Sequence, residues 1–420
     1  MTPSKGVVTI GAMSKKSSDR NIQGLVVLAP GRESAVRRFH PWIFSGAIAS
    51  MEGAPQPGDT VAIYDSRGEH IATGHYAGGS LAVKVVAFEG RPLDRLFWIE
   101  RLGSAWRLRR ALGLIDSTET DAFRLVNGEG DGLPGLIVDL YGEVAVLQAH
   151  SLAMARARDE IVAALIAVTE GRIRRVYDKS AATLERSAGA EGNADQFVYG
   201  DDAEASVVMR EGGLDFELDL RTGQKTGFFL DQRDNRALVG KLARGRRVLN
   251  CFSYSGGFSL YALQGGALYV ESVDVSKGAI ELANRNVARN FSDVTAQGRH
   301  KGVVADCLDY LRDIGGSYDL VVLDPPAFAK HKKALEGGLR GYESINHLAF
   351  KHAKAGSFVV TFSCSQVVTP DIFANTVQRA AGRAERRVRV LHELRQAPCH
   401  PRSLHHPEGH YLKGLVLEVE

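Results

Sequence analysis

The sequence predicts an α/β protein with a doubly wound parallel sheet in its C-terminal half, preceded by a small β-barrel and a middle α+β domain. Three observations support this prediction. The chain has 420 residues, which is too long for one ordinary domain. Short strand-like runs recur near the N-terminus, a spacing typical of small barrels. Strand-like and helix-like runs then alternate towards the C-terminus, as in a doubly wound sheet.

The composition predicts a folded, cytoplasmic protein. Hydrophobic residues make up 44% of the chain, charged residues make up 24%, and the formal net charge is only +3. No apolar run approaches the roughly 18 residues of a membrane span, and no signal segment is complete, so no membrane partner is expected. The first 50 residues carry seven basic and two acidic side chains, which suits either phosphate contacts or a solvated face.

The cysteines argue against a metal cluster. The four of them, Cys251, Cys307, Cys364 and Cys399, are far apart and form no CxxC pair. A chain of this length also has no need of a disulfide framework. We therefore predict no metal cofactor.

The first 200 residues divide into three predicted segments. Residues 1–23 are polar and are predicted to form a disordered extension. Residues 24–91 contain strand-like runs separated by Gly, Pro and Asp turns, which predicts the barrel: Leu25–Leu28, Trp42–Phe44, Thr60–Tyr64, Ile71–Tyr76 and Leu81–Phe88. Residues 92–200 combine helices at 93–114 and 151–170, a hairpin at 123–148, and short strands at 174–178 and 196–199. This mixture predicts an α+β domain.

Residues 201–420 are predicted to form the doubly wound, Rossmann-like sheet. The predicted strands are Arg246–Cys251, Ala267–Val273, Lys301–Ala305, Tyr318–Leu323 and Ser357–Ser363. The predicted helices are Gly257–Leu263, Lys277–Asn290, Asp309–Asp313 and Ser344–Ala353. In such sheets a ligand binds where the carboxyl ends of the strands meet.

The stretch VVLDPPAFAK (321–330) predicts a substrate-holding turn. Asp324 follows three apolar residues that end a buried strand, and Pro325 and Pro326 then stiffen the exit of the chain. A carboxylate and the aromatic ring of Phe328 on a rigid turn suit a planar polar group. The alternative is a proline-rich strand exit, with Phe328 in the core and Asp324 as a turn former.

Four consecutive strand ends offer Gly or Asp, which predicts one nucleoside-binding crevice. They are the turn Asn250–Phe258 with its Gly pair, Asp274 at 18 positions after Gly256, Asp306 and Asp324. The sequence has no GxGxxG pattern or Walker lysine here, so a diphosphate is poorly supported. Nucleoside contacts without phosphate contacts favour S-adenosylmethionine over NAD. The alternative is that the four positions are helix caps or turn formers.

The segment Arg221–Arg236 (RTGQKTGFFLDQRDNR) is predicted to complete this crevice. Its glycines and its polar Gln224, Lys225 and Thr226 indicate a shaped loop. Phe228 and Phe229 could cover an adenine or a methionine chain, and Asp231, Gln232 and Arg233 could fix it. The alternative is a domain linker with an aromatic plug.

Cys364 is the candidate nucleophile. It lies in SCS (363–365), after the strand that follows the DPPAF strand, so in the usual sheet order the two strand ends are neighbours. A thiolate is nucleophilic, but a free thiol has a pKa of about 8.5 and needs a favourable site. The alternative is an inert, buried cysteine.

These motifs resemble a known family, the bacterial PUA-domain methyltransferases of large-subunit ribosomal RNA, which include cytosine-5 methyltransferases acting on 23S rRNA. The resemblance runs from about residue 24 to residue 420 and rests on TGQKTGFFLDQRDNR, LNCFSYSGGFSL, VDVS, LDPPAFAK, SCS and HPEGHYLKGL. The segments HPWIFSGAI and PGDTVAIYDSRGEHIATGHY are similar to a PUA barrel. FRLVNGEGDGLPGLIVDLYG is similar to the middle domain of that family.

The resemblance implies a role for each motif. S-adenosylmethionine would be held by Gln224, Lys225, Phe228, Asp231, Arg233, Phe252, Ser253, Tyr254, Gly256, Asp274, Ser276, Asp306 and Asp324. Asp324 with Pro325 and Phe328 would hold the target base, and Cys364 would add to cytosine C6 so that C5 becomes nucleophilic. The base must be unstacked to reach the crevice.

The resemblance leaves three matters open. Many RNA cytosine-5 methyltransferases outside this family carry a second cysteine directly after the prolines. Ala327 occupies that position here, so the base that removes the C5 proton is not identified. Methylation of a guanine nitrogen or an exocyclic amine is the alternative activity, and a non-enzymatic RNA-binding assembly factor is the alternative class. Large-subunit ribosomal RNA is the expected partner, and a homodimer is one alternative for the assembly.

Overall fold

A computed structural model of the chain describes residues 22–188, 194–201 and 205–420. The predicted disordered extension therefore lies, except for its last two residues, outside the described residues. The described part contains three large sheets and one separate hairpin.

The N-terminal sheet has six strands that curl round one small core. Its elements are β1 (Gly24–Leu28), α1 (Glu33–Arg37), β2 (Trp42–Phe44), β3 (Ile48–Glu52), β4 (Thr60–Tyr64), β5 (His70–Tyr76) and β6 (Leu81–Ala87). The order is β2-β6-β5-β4-β1-β3, with β1 and β4 parallel and the other pairs antiparallel. Val26, Ile63 and Val83 are fully buried in the core. The sequence did not predict β3, an edge strand without a fully buried residue.

The middle sheet has five strands flanked by helices. Its elements are α2 (Arg95–Ala111), β7 (Ala122–Asn127), β8 (Leu136–Tyr141), β9 (Val144–Ala149), α3 (Leu152–Arg156), α4 (Arg158–Val168), β10 (Arg175–Asp178), α5 (Ala181–Ala188) and β11 (Gln196–Tyr199). The order is β11-β10-β9-β8-β7. The predicted hairpin at 123–148 is three strands, and the predicted helix at 151–170 is two helices.

A hairpin and a helix lead into the C-terminal sheet. They are β12 (Ser206–Glu211), β13 (Leu214–Asp219) and α6 (Arg233–Leu242), none of which the sequence interpretation identified. Buried and exposed residues alternate along β12, so one face of the hairpin packs on the core. The buried Arg236 of α6 makes a bidentate ion pair with Glu211 of β12, which fixes the hairpin to the helix.

The C-terminal sheet is the doubly wound sheet that the sequence predicts. Its elements are β14 (Arg247–Cys251), α7 (Gly257–Gln264), β15 (Tyr269–Asp274), α8 (Lys277–Asn290), α9 (Ser292–Ala296), β16 (His300–Val304), α10 (Cys307–Tyr310), β17 (Leu320–Leu323), α11 (Leu335–His352), β18 (Phe358–Ser363), α12 (Pro370–Arg383), β19 (Val388–Arg395) and β20 (Lys413–Val419). Five neighbouring strands are parallel, and β20 is antiparallel to both of its neighbours.

The strand order positions the site. It is β16-β15-β14-β17-β18-β20-β19, so the chain progresses outward in opposite directions from β14 and β17. The carboxyl ends of the parallel strands meet at one edge, and a crevice opens where the order reverses. Because β20 is antiparallel, it begins at this same edge. The sequence interpretation missed α12, β19 and β20, and it began α11 nine residues too late.

Candidate active site

The DPPAF turn and the SCS turn are neighbours at the crevice. Strands β17 and β18 pair in parallel, with Leu323 opposite Thr361, which confirms that the two strand ends are adjacent. The Ser365 hydroxyl accepts a hydrogen bond from the Ala329 N–H at 3.1 Å and lies 2.8 Å from the Tyr342 hydroxyl. These bonds hold the two turns together.

Cys364 lies at the junction of these turns. Its Sγ is partly buried and lies 3.9 Å from the carbonyl oxygen of Pro325. Burial, followed by the negative charge of Asp324, raises the pKa of the Cys364 thiol to about 11, and the Lys225 ammonium opposes this rise. The free enzyme therefore holds a thiol at neutral pH.

Asp324 is poised to gain or lose a proton near neutrality. Its Oδ2 accepts a hydrogen bond from Gln232 Nε2 at 3.0 Å. Burial, followed by the charge of Asp231, raises the pKa of Asp324 to about 7, although the bond from Gln232 stabilises the carboxylate. A group with this pKa suits proton transfer at physiological pH.

Asp231 offers a buried acceptor beside Asp324. The Tyr411 hydroxyl donates to its Oδ2 at 2.6 Å. Its Oδ1 is buried and has no hydrogen-bond partner among the described residues. A buried carboxylate oxygen without a donor is costly, so this atom suits a ligand that brings an N–H or O–H group.

The FSYSGG turn is shaped by Asp274. The two carboxylate oxygens of Asp274 accept hydrogen bonds from the backbone N–H groups of Tyr254 and Ser276, each at 2.9 Å. Gly256 has a φ of +82° at the start of α7, and an added Cβ would lie 3.1 Å from Ala283 Cβ, so glycine is needed here. The Ser253 hydroxyl is buried without a hydrogen-bond partner among the described residues.

Tyr254 joins this turn to the TGQKTGFF loop. Its hydroxyl donates to the Gly227 carbonyl at 3.0 Å and accepts from the Gln224 N–H at 3.0 Å. The backbone of Lys225 has a φ of +52°, which turns its side chain over the ring of Phe229, with Nζ 4.7 Å from the ring centre. Two motifs that are separate in sequence therefore form one wall.

The middle sheet supports this wall, which sequence reasoning missed. The Thr226 hydroxyl donates to Asp139 of β8 at 2.6 Å and lies 3.0 Å from the hydroxyl of Tyr141. That hydroxyl accepts from the Phe228 N–H at 3.1 Å. Arg124 of β7 makes a bidentate ion pair with Asp139 at 2.7 and 2.8 Å. The polar and charged residues of FRLVNGEGDGLPGLIVDLY, among them Arg124, Asp139 and Tyr141, were the only features of the sequence that could have indicated this support.

The structure places two of the predicted cofactor residues away from the crevice. Phe228 is buried against Phe216 and under the Arg236 guanidinium, so it belongs to the core. The next ring, Phe229, packs instead against Tyr254. Arg233 donates to Cys399 Sγ at 2.9 Å and to the carbonyl of residue 122, which fixes α6 to the middle domain. Its side chain therefore contributes to the junction of α6 with the middle domain.

Two further predicted cofactor residues, Ser276 and Asp306, cap helices. The Ser276 hydroxyl caps α8 by accepting from residue 279, and Asp306 Oδ1 caps α10 by accepting from residues 308 and 309. Both residues follow the carboxyl ends of strands, as predicted, so each could cap its helix and also contact a ligand.

Phe328 lies between two other rings at the strand ends. Its ring centre is 4.8 Å from that of Tyr342 and 6.5 Å from that of Phe252.

This set of residues fits a nucleoside that carries an amino-acid chain. Asp231 Oδ1 and the Ser253 hydroxyl are buried polar atoms that lack partners in the described structure. Asp306 provides a second carboxylate oxygen beyond the one that caps its helix. Hydroxyl, amine and ammonium donors would satisfy these acceptors.

The comparisons with known proteins identify the family. A model of S-adenosylmethionine-dependent methyltransferases matches residues 184–401, and a PUA-like domain model matches residues 26–88. The chain is 39% identical to the ribosomal RNA large subunit methyltransferase I of Erwinia tasmaniensis, over 94% of this chain and 99% of that protein. The chain belongs to the ribosomal RNA large subunit methyltransferase I family. The Escherichia coli O139:H28 member is 38% identical, over 94% of this chain.

Solved structures agree on the fold. An S-adenosylmethionine-dependent methyltransferase from Streptococcus mutans is 22% identical with a TM-score of 0.79, covering 94% of this chain and 99% of that one. A methyltransferase complexed with S-adenosylhomocysteine has a TM-score of 0.80 at 23% identity and covers the same shares. These likenesses confirm the predicted fold class, and the family confirms the S-adenosylmethionine cofactor and the methyltransferase activity.

The described residues provide neither a candidate metal site nor a candidate membrane-spanning helix. Residues 22–188, 194–201 and 205–420 contain no group of His, Cys, Asp and Glu side chains that could hold a metal ion. No helix in this part of the chain is long and apolar enough to cross a membrane.

Proposed function

We propose that this protein methylates C5 of a cytosine in 23S ribosomal RNA through a covalent adduct of Cys364. The observation that carries the proposal is the position of Cys364 Sγ, 3.9 Å from the Pro325 carbonyl on the turn that presents Asp324. A nucleophile and a proton-transferring carboxyl group thus lie beside one another, as C5 chemistry requires. The relatives are large-subunit ribosomal RNA methyltransferases by name, which supports the choice of substrate.

The first step activates the pyrimidine. The Cys364 thiol gives up its proton, and its sulfur forms a bond to C6 of the cytosine. Asp324, with a pKa of about 7, takes up the thiol proton as a carboxylate and delivers a proton to N3 of the base. The net result is addition of S and H across the ring, which leaves C5 as an enamine-type carbon. Asp324 thereby stabilises the charge that develops on the base.

The chain then positions the methyl donor against C5. Bound S-adenosylmethionine supplies an electrophilic methyl group. Asp231 Oδ1, the Ser253 hydroxyl and the wall formed by Lys225, Phe229 and Tyr254 would hold the donor, with Asp274 shaping the turn and Asp306 contacting an amine. Holding both reactants in line lowers the barrier, by up to about 7–11 kcal/mol for well-oriented reactants.

The last step restores the aromatic base. The C5 proton leaves to a base, the bond from C6 to Cys364 Sγ breaks, and N3 loses its added proton. These changes return the cysteine and release 5-methylcytosine. No described side chain is assigned as the C5 base, because Ala327 occupies the position after the prolines.

A second candidate is methylation of a base nitrogen. It is favoured by the pKa of about 11 for the Cys364 thiol, since a poorly ionised thiol is a weak nucleophile until Asp324 takes its proton. In that reaction Asp324 and the prolines would grip an amine and Cys364 would have no role.

Nucleoside analysis distinguishes the two. Unmethylated 23S ribosomal RNA is incubated with the enzyme and S-adenosylmethionine, digested, and separated by chromatography with mass spectrometry. We expect 5-methylcytidine from the wild-type enzyme and none from Cys364→Ala. Methylguanosine or N4-methylcytidine from both enzymes would establish the second candidate instead.

A further inference from the structure

A cavity adjoins the candidate active site on the side away from the FSYSGG turn. Its volume is about 290 Å³, close to the lower limit of about 300 Å³ for small-molecule pockets. Its walls include Trp42 of β2, Glu129 of the loop after β7, and His406 and Tyr411 of the segment before β20. All three parts of the chain therefore contribute to one cavity.

Two wall residues connect the cavity to the reaction centre. Gln366, which follows Cys364 by two positions, lines the cavity and donates to the Glu408 carbonyl at 2.9 Å. Tyr411 also lines it and donates to Asp231, whose charge acts on Asp324. The cavity lies on the β18 and β20 side of the sheet, whereas the FSYSGG turn, Asp274 and Asp306 lie at the ends of β14, β15 and β16. A polynucleotide holding one base at Cys364 would extend its neighbouring nucleotide towards the cavity.

The chemistry of the walls suits an unstacked nucleobase. Trp42 is partly buried, and its Nε1 donates to Glu129 at 3.0 Å, which fixes the orientation of the indole ring. The His406 ring lies 4.4 Å from it, and the residue is only 3% exposed. Neither ring nitrogen of His406 has a hydrogen-bond partner among the described residues, and Glu408 Oε2 is 3.7 Å from Nε2. Aromatic faces with nearby unpaired nitrogen atoms are the features that bind single-stranded bases.

We propose that this cavity binds the nucleobase next to the target cytosine, stacked on Trp42 and hydrogen-bonded by His406. This inference rests on the proposed RNA substrate but not on which atom of the target is methylated. The site would capture the neighbouring nucleotide while the target is withdrawn from its stack. It would thereby help to select the unstacked conformation.

Trp42 also serves as a spectroscopic probe. The chain has three tryptophans, and Trp98 and Trp106 are only 1% and 4% exposed in the middle-domain core. Stacking of a base on Trp42 should therefore quench the accessible part of the tryptophan emission. We expect quenching when unmethylated 23S ribosomal RNA is added to the wild-type enzyme, and none with Trp42→Phe.

Kinetics test the same site independently. Trp42→Ala should raise the KM for RNA about tenfold or more, as expected for the loss of base stacking. Trp42→Phe keeps an aromatic ring, so its KM for RNA should be close to that of the wild-type enzyme. In both variants kcat and the Kd of S-adenosylhomocysteine should stay within about twofold of wild type. Leu404→Ala, an 84% exposed residue in the same segment as His406, is the matched control and should leave KM unchanged.

The outcomes separate this inference from the proposed function. An unchanged KM in Trp42→Ala, or unquenched wild-type emission with saturating RNA, would overturn the base-binding site. A raised KM together with unquenched emission would indicate that Trp42 only holds Glu129. If RNA quenches Trp42 but no methylated nucleoside forms, the site stands and the proposed function fails.

Discussion

At the scale of residues, the proposed reaction depends on one proton that passes between Cys364 and Asp324. Burial raises the pKa of both groups. The charge of Asp231 adds to the rise at Asp324, and the charge of Asp324 adds to the rise at Cys364. Lys225 is the cation that acts on both, in the direction that favours ionisation. The pair therefore stays singly protonated over a wide range above neutral pH, which is the state the proposed first step consumes.

The pH dependence of kcat/KM follows from this pair. Since the pKa of Asp324 is about 7 and that of Cys364 is about 11, the singly protonated pair forms as the pH rises through 7. We expect kcat/KM to rise through this pH and then stay level to about pH 9. In Asp324→Asn the rise near pH 7 should disappear and kcat should fall about 100-fold or more.

The control for this experiment is Asp313→Asn, an exposed position outside the crevice, which should keep the wild-type profile. A rise near pH 7 that survives in Asp324→Asn would assign the ionisation to another group. It would remove Asp324 from the proton transfer.

At the scale of elements, the TGQKTGFF loop is held in shape by its neighbours. Tyr254 bonds it from the FSYSGG turn, and Thr226 bonds it to Asp139 and Tyr141 of β8. A glycine-rich loop has a large conformational entropy to lose, so these bonds prepare it for a ligand. The middle domain thereby holds the loop that we propose binds the cofactor.

Thr226→Val tests this support. The change keeps the shape of a side chain that is only 1% exposed but removes the hydroxyl, leaving Asp139 and Tyr141 each short of a partner. We expect the free energy of unfolding to fall by about 1–3 kcal/mol. We also expect the Kd of S-adenosylhomocysteine to rise several-fold in calorimetry.

Thr222→Val, an exposed position in the same loop, is the matched control and should change neither quantity. Reduced stability with an unchanged Kd would mean that the bond stabilises the domain junction without shaping the binding loop.

The strand ends were predictable from sequence, and the directions of side chains were not. Parallel strands with regular connections place Asp274, Asp306 and Asp324 at one edge, and Cys364 follows the adjacent strand. By contrast, Phe228 points into the core while Phe229 lines the crevice. The backbone of Lys225 has a positive φ, so the residues that follow it belong to an irregular loop. Such a loop has no regular period from which the directions of the Phe228 and Phe229 side chains could be predicted.

At the scale of the whole molecule, the middle sheet, the hairpin and the C-terminal sheet form one scaffold for the crevice. One core cluster joins the middle sheet, the hairpin and the C-terminal sheet. The buried Arg109 pairs with Asp131 and also donates to the Cys399 carbonyl 290 positions away. Contacts between such distant positions leave no local pattern, which is why the sequence did not reveal the support from β7 and β8.

The limits of the domains remain predictions, because contacts between distant positions join the domains. We propose boundaries near residues 91 and 200, where the sequence changes from barrel to α+β and then to the doubly wound pattern. The cytoplasmic location and the homodimer also remain predictions. The cavity with Trp42, Glu129 and His406 was invisible to sequence reasoning, because its walls come from three separate segments.

The most direct test of the central claim is a covalent trap. The enzyme is incubated with S-adenosylmethionine and 23S ribosomal RNA containing 5-fluorocytidine, in which C5 carries fluorine instead of the proton that must leave. We predict an RNA–protein adduct that survives denaturation and maps by mass spectrometry to Cys364, one of four cysteines in the chain. RNA with ordinary cytidine is the control. No adduct, together with full methylation by Cys364→Ala, would contradict cysteine catalysis at C5.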